Sequence, residues 1–210
     1  MRCFVFALVL AAAAGCSMAP WYYATQNEHV LSLGKGDLEA AGIAFITPST
    51  VTGQEQEKQT VALAFAEVMA AQRPGIKVVT LAETLSAVNR TGLVDAYRRM
   101  YEDYRDTALL PADVLRRLGT STGARYIGQL KLQGFSQNSK NRLGILGLRI
   151  IDTQLGDARL YFQIWDSRDG SIAWEGMQEL RIAMDTTKES PVTLRELLER
   201  SAHDLVAKLP

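Results

Sequence analysis

A serine between two glycines forms a motif that is typical of enzymes. Gly119-Thr-Ser121-Thr-Gly123 matches the G-x-S-x-G pattern in which serine hydrolases present their nucleophile. In those enzymes the serine sits on a sharp turn from a strand into a helix, and an acid and a histidine follow. Here a helical pattern precedes the motif and a strand pattern follows it, with His203 the single histidine downstream. We interpret the glycines as a helix stop and a turn, and keep a hydrolase at Ser121 as an alternative.

Side chains that bind metals or cofactors are sparse. His29 and His203 are the two histidines, and no acid-rich cluster has the spacing of a metal site. The stretch "DSRDG" at 166–170 resembles a calcium loop without its alternating acids, and a hairpin turn explains it. The segment Ser49–Gly53 precedes a helix, where amides hold either an anion or capping side chains. We predict no metal, no cofactor and no small-molecule substrate.

A cysteine follows an apolar leader. Eleven apolar residues, 4–14, come after Arg2 and end in small residues, which is the build of a signal peptide. The run is far shorter than the roughly 20 residues of a membrane-spanning helix. "AAGC" at 13–16 matches the bacterial lipobox except at Ala13, where leucine is commonest. We predict a signal peptide over 1–15 and lipid attachment at Cys16; the alternative is an ordinary secretory signal with an incidental cysteine.

The leader determines what the remaining chain can do. Cys3 is removed and Cys16 is acylated, so no thiol remains for a disulfide, a nucleophile or a zinc site. Acyl chains such as palmitate anchor durably, because each buried methylene contributes about 0.8 kcal/mol. Ser17, rather than an aspartate, follows the cysteine, which favours sorting of the lipoprotein to the outer membrane. The inner membrane is the alternative location. With 23 basic and 23 acidic residues, the chain lacks the basic field that nucleic-acid binding needs.

Three tyrosines form a stripe at helical spacing. Tyr97, Tyr101 and Tyr104 follow at i, i+4 and i+7, with Arg98 and Arg105 beside them. Tyrosine and arginine are enriched in binding hot spots, so these five residues are a candidate partner surface. The other interpretation is the packed face of an amphipathic helix, with its hydroxyls at the rim. The sequence leaves both open.

The surrounding pattern predicts the elements. Apolar runs at 43–46 and 76–80 and alternating runs from 126 and 159 indicate strands, and helical periods lie between and after them. We predict an α/β (α+β) domain over 41–209, with one mixed sheet of about five strands flanked by helices. Its order is β-α-β-α-α-α-β-β-β-α, and it ends in an amphipathic helix. Three capping boxes are predicted to start helices, at Thr52/Glu55, Thr80/Glu83 and Thr193/Glu196.

Two further expectations concern aromatic residues. Residues 16–40 have no sustained period and are predicted to form a lipid-anchored tether, in which Trp21, Tyr22 and Tyr23 either rest at the membrane interface or pack on the domain. A two-residue turn at Asp169-Gly170 is predicted to place Trp165 directly opposite Trp174 across a hairpin.

Three stretches carry a resemblance: "GIAFITPST", "GARYIGQLKLQGF" and "LYFQIWDSRDGSIAWEG". They resemble the periplasmic domain shared by the curli secretion lipoprotein CsgG, the penicillin-binding-protein activator LpoB and the N-terminal domain of TolB, over roughly residues 40–185. The resemblance implies a mixed sheet flanked by helices on a lipid-anchored envelope protein, and it brings no catalytic residues. "LGILGLRIIDTQLGD" is one apolar insertion without clean alternation, whereas the curli channel subunit has two, so we do not expect a channel subunit.

These observations converge on one hypothesis. We expect a non-enzymatic outer-membrane lipoprotein that faces the periplasm, is anchored through acylated Cys16 and binds another envelope protein as an accessory or scaffold. The alternative is a self-associating component of a secretion or transport system.

Overall fold

A computed structural model describes residues 20–51, 53–145, 148–186 and 191–210, and for 140–145, 148–152 and 186 it describes the backbone alone. Within these ranges the chain forms seven strands and six helices, two strands and one helix more than predicted. The strands are β1 Trp21–Val30, β2 Ile43–Phe45, β3 Ser49–Thr50, β4 Val78–Val79, β5 Tyr126–Ile145, β6 Leu148–Asp166 and β7 Ile172–Thr186. The helices are α1 Asp37–Ala41, α2 Glu55–Gln72, α3 Leu81–Arg90, α4 Val94–Thr107, α5 Ala112–Thr122 and α6 Leu194–Val206.

The strands form one mixed sheet, as predicted. Its order is β1-β7-β6-β5-β2-β4, and β3 also pairs with β5. β2 runs parallel to both β4 and β5, whereas β5, β6, β7 and β1 are successively antiparallel. The parallel half follows from the β-α-β connections, and the antiparallel half from direct hairpins.

Each face of the sheet is covered by its own helices. One core cluster joins α2 and α6 to the sheet, and the second joins α3, α4 and α5 to its other face. The predicted alternation in β5 and β6 is confirmed, because one face of these strands lies in the first cluster: Tyr126, Leu130, Leu132, Leu160, Phe162 and Ile164. The domain is therefore a three-layer arrangement with the sheet in the middle.

Two of the three predicted capping boxes are confirmed. Thr80 and Thr193 each cap a helix, and Glu83 and Glu196 return a hydrogen bond to the capping residue's amide. The predicted box at Thr52/Glu55 is wrong, because Glu55 is already the first residue of α2 and the capping residue is Gln54, which makes no side-chain cap. Thr52 itself lies outside the described residues.

The predicted tryptophan pair is also wrong. Trp165 pairs with Ile172 and Trp174 with Ile164, because a bulge interrupts the register between Ile164 and Trp165. A one-residue slip turns a side chain to the other face of a sheet. The two indoles accordingly lie in the two different core clusters.

The predicted tether contains regular structure. Trp21–Val30 form β1, which pairs along its whole length with β7, from Trp21 opposite Ala183 to Val30 opposite Trp174. The sheet therefore begins well before residue 41, where the domain was predicted to start. Cys16 and the leader lie outside the described residues. Within the described ranges, no helix is both long enough and apolar enough to cross a bilayer.

Candidate functional site

The first strand forms an open edge of the sheet. β1 is the outermost strand on its side, and all of its residues are exposed except Gln26, which is half-buried. Trp21 and Tyr23 are exposed to 76% and 69%, large values for aromatic side chains. At the opposite edge, β4 has two residues. β1 is thus held to the domain by its backbone pairing with β7 on one side, and its side chains are largely exposed.

Within the described part of the chain, this edge lacks the usual protection against pairing. Proteins guard long edge strands with lysine, proline, bulges or a covering element. Residues 21–30 contain neither lysine nor proline, and Glu28 is their one acidic residue. β1 pairs with β7 without a register shift. In an antiparallel pair about half of a strand's amides and carbonyls point away from its partner, so β1 presents about five of each. Such an edge can accept an additional strand.

An apolar groove lies beside the beginning of β1. It encloses about 560 Å³ between β1, β7, α2 and α6. Its apolar wall includes Val68, Ala71, Ile182, Met184 and Val192.

The rim of this groove is charged and internally paired. The Arg200 guanidinium lies 5.1 Å from the centre of the Tyr22 ring. Arg195 bonds both Glu67, at 2.9 Å, and Glu199, at 2.6 Å. Arg195 faces two carboxylates and Glu196 also lines the groove, so the rim keeps an excess of negative charge. The apolar wall therefore suits an apolar side chain better than an anion.

The tyrosine stripe packs into the domain. Tyr97 and Tyr104 are buried and Tyr101 is half-buried. The Thr47 amide donates to the Tyr97 hydroxyl at 2.9 Å, and the Tyr101 hydroxyl donates to the Thr47 carbonyl at 2.7 Å. Burial raises the pKa of both Tyr97 and Tyr101. The stripe therefore fastens α4 to the chain after β2, and the packing interpretation fits the structure.

The arginines of the candidate partner surface point elsewhere. The Arg98 side chain is exposed and lies 3.8 Å from Asp95 and 3.9 Å from Glu102. Arg105 is also exposed and bonds Asp106 at 3.1 Å. Tyrosines and arginines thus do not form one exposed face, and the predicted five-residue surface is not assembled.

Ser121 does not have the setting of a hydrolase nucleophile. It lies in the last turn of α5, and its hydroxyl donates to the Leu118 carbonyl at 3.0 Å. Gly123 ends the helix with φ 65°, as the helix-stop interpretation predicts. The end of a helix presents free carbonyls, whereas an oxyanion hole needs free amides. His203 lies on α6, where it lines the groove beside β1.

The Ser49–Gly53 segment forms a short strand and a turn, and it neither caps α2 with a side chain nor favours an anion. Ser49 and Thr50 pair with β5, and the Thr50 hydroxyl accepts the Gly53 amide at 3.1 Å. Glu55 and Glu57 occupy the first turn of α2, where their charge opposes an incoming anion. Among the described residues, no group of three histidine, cysteine or acidic side chains is placed to hold a metal ion.

The structure also contains an ion cluster that the sequence analysis did not anticipate. Asp166 is buried, and its carboxylate accepts from Arg125 at 2.6 Å and from Arg168 at 3.1 Å. Burial opposes the charge on Arg125, but the hydrogen bonds and charge of Asp166 outweigh it and raise the pKa of Arg125. The cluster joins the start of β5 to the β6–β7 turn, so its role is structural.

Several solved structures are similar to this chain. A PelC dodecamer from Paraburkholderia phytofirmans has 14% identity and a TM-score of 0.45, over 89% of this chain and 94% of that one. Lipoprotein GNA1162 from Neisseria meningitidis has 16% identity and a TM-score of 0.41, over 80% and 98%. The LpoB C-terminal domain from Salmonella enterica has 12% identity and a TM-score of 0.37, over 66% and 82%. No protein-family model and no curated protein sequence matches the chain. Likeness at this level does not extend to function.

Proposed function

We propose that this chain is a lipid-anchored protein of the bacterial envelope that acts without catalysis, by binding an extended segment of another envelope protein along β1. Acylated Cys16 attaches it to the outer membrane, and the domain faces the periplasm. The leader "FVFALVLAAAAGC" and Ser17 support the anchor and the membrane.

The open edge of β1 carries the binding proposal. A ten-residue strand with exposed side chains and no edge protection is unusual unless something covers it. A partner strand would gain backbone hydrogen bonds, each worth about 0.5–1.5 kcal/mol net. The neighbouring groove supplies an apolar pocket for one side chain at the start of the strand.

Self-association through the same edge is the second candidate. Two copies of β1 paired antiparallel about Thr25 and Gln26 would set Glu28 opposite Tyr23 and Trp21 opposite Val30. No like charges would face each other in this register, so charge does not forbid it. This pairing would make the chain an oligomeric component.

Photo-crosslinking in intact cells tests the edge. A photoreactive residue at Thr25, on β1, should capture one envelope protein, whereas the same group at Leu109, which is also exposed but lies after α4, should not. The additional substitution Asn27→Lys should weaken capture, because a lysine on an edge strand obstructs pairing. Equal capture from both positions, or none from Thr25, would refute the strand-addition proposal. Capture of the chain itself would favour self-association.

Metabolic labelling tests the anchor separately. Radiolabelled palmitate should enter the protein, and Cys16→Ser should abolish the label, since Cys16 is the proposed acylation site. The labelled protein should sediment with outer-membrane vesicles. Label that persists after Cys16→Ser would eliminate the anchor without bearing on the edge.

A further inference from the structure

The β5–β6 hairpin extends beyond the rest of the sheet at the end where β1 begins. Trp21 lies opposite Ala183, Ala183 opposite Leu155, and Leu155 opposite Asn138, so these four residues form one row across the sheet. β7 pairs with β6 as far as Asp152. Beyond that point the hairpin continues to the pair of Ile145 with Leu148, with no further strand beside it among the residues that the structure describes. The N-terminal segment and the hairpin tip therefore leave the sheet at the same end.

The lengths of these two extensions are comparable. Six residue pairs follow the Asn138–Leu155 pair up to Ile145–Leu148, since Arg142 and Ile150 have no partner at the register shifts, and at about 3.3 Å per pair the hairpin reaches about 20 Å past the row. Five residues separate Trp21 from Cys16, and a fully extended chain spans at most about 18 Å over that distance. The tip therefore reaches about 2 Å further than the anchored cysteine even with the tether fully stretched. A shorter tether would bring the tip deeper.

The composition of the tip suits a lipid surface. The run 143–151, "LGILGLRII", has six apolar residues and no acid, and its single charge is Arg149. Lys140 and Arg142 precede it. Apolar residues flanked by basic ones favour the headgroup region of an anionic bilayer, in which interfacial segments lie about 5–10 Å deep. A tether that spans about 10–15 Å, less than its maximum, places the tip at that depth beyond the cysteine.

We propose that the tip of the β5–β6 hairpin, formed by 143–145 and 148–151, enters the headgroup region of the bilayer that holds Cys16. This inference rests on the proposed lipid anchor, which fixes the distance between the sheet and the membrane. The hairpin then acts as a second contact, and the two contacts together orient the domain with β1 rising away from the bilayer.

Depth-dependent fluorescence quenching tests the tip on the full acylated protein. With Cys3 removed and Cys16 acylated, a cysteine introduced by Ile145→Cys is the only free thiol and accepts an environment-sensitive fluorophore. Val30→Cys is the matched control, since Val30 is exposed and lies at the opposite end of β1. Both proteins are reconstituted into phosphatidylethanolamine–phosphatidylglycerol vesicles that contain headgroup spin-labelled lipid.

When the protein binds the vesicles, the label at residue 145 should be quenched by the spin-labelled lipid, and its quenching by aqueous iodide should fall at least threefold. The label at residue 30 should show neither change. Leu148→Asp, added to Ile145→Cys, should restore iodide quenching while the melting temperature stays the same. A label at 145 as open to iodide as the one at 30 would overturn the proposal. Protection from iodide without quenching by lipid would also overturn it, because protein would then cover the tip. Flotation with the vesicles tests the anchor independently. A protein that fails to float would refute the anchor. A protein that floats but leaves the label at residue 145 accessible to iodide would refute only the hairpin contact.

Discussion

Replacing Phe162 by leucine tests the centre of the larger core. The Phe162 side chain is fully buried, and its ring centre lies 6.0 Å from that of Phe45, 5.5 Å from that of Phe65 and 5.5 Å from that of Trp174. Each such ring pair contributes about 0.5–1.5 kcal/mol beyond its buried area. Leucine keeps an apolar side chain but loses all three pairs. We expect Phe162→Leu to lower the free energy of unfolding by about 2–4 kcal/mol.

A double-mutant cycle separates the ring pair from general packing. Phe162→Leu and Trp174→Leu should show a coupling of about 0.5–1.5 kcal/mol, because their rings meet edge to face and each substitution removes one ring. Trp165→Leu is the matched control. It also removes a buried indole, but from the opposite face of the sheet, so its effect should add to that of Trp174→Leu within about 0.3–0.5 kcal/mol. Urea unfolding followed by far-UV circular dichroism, in the Cys16→Ser protein, measures all variants. The bulged register places the two tryptophans on opposite faces of the sheet. It would be refuted if the effects at Phe162 and Trp174 were additive while those at Trp165 and Trp174 were coupled.

Three further changes test local features. Thr80→Ala and Thr193→Ala should each lower the free energy of unfolding by about 1 kcal/mol in the same urea titration, because each removes a side-chain cap. Asp166→Asn should lower the free energy of unfolding by about 1.5–3 kcal/mol, because Arg125 loses charged hydrogen bonds. A change below about 0.5 kcal/mol would show that the ion cluster does not stabilise the fold. The amide and hydroxyl of Thr80 lower the pKa of Glu83. The cap therefore stabilises the fold at pH values above the ordinary glutamate pKa of about 4.3, and this stabilisation is lost as the pH falls through the lowered pKa. An NMR titration of Glu83 measures that pKa, and an ordinary midpoint would contradict the prediction.

Features with a local chemical cause were predictable from the sequence. Thr80 and Thr193 each precede a glutamate by three residues, and a capping box needs nothing outside its own turn. The alternation through Leu130, Leu132 and Leu160 reports a strand with one buried face, whatever its partner is. These signals were sufficient for the α/β class and for the mixed sheet.

Features fixed by distant residues were not predictable. β1 exposes both of its faces, so it has no apolar alternation, and its partner β7 lies some 150 residues away in the sequence. The register of Trp165 depends on a bulge, and Asp166 is held at that point by Arg125, the residue just before β5. The tyrosine stripe has the spacing of either a packed or an exposed helix face. Thr47, fifty residues from Tyr97, decides between them by bonding its hydroxyl.

The anchor, the open edge and the hairpin tip constrain one another. Two copies that pair antiparallel through β1 would place their N-terminal ends about 33 Å apart, one at each end of the paired strands. Their hairpin tips would then point in opposite directions, so only one of the two could enter the bilayer. Tip insertion by every molecule is therefore incompatible with antiparallel self-pairing. If the label at residue 145 is uniformly quenched by lipid, the strand captured at Thr25 must belong to a different protein, or to a copy arranged in some other way.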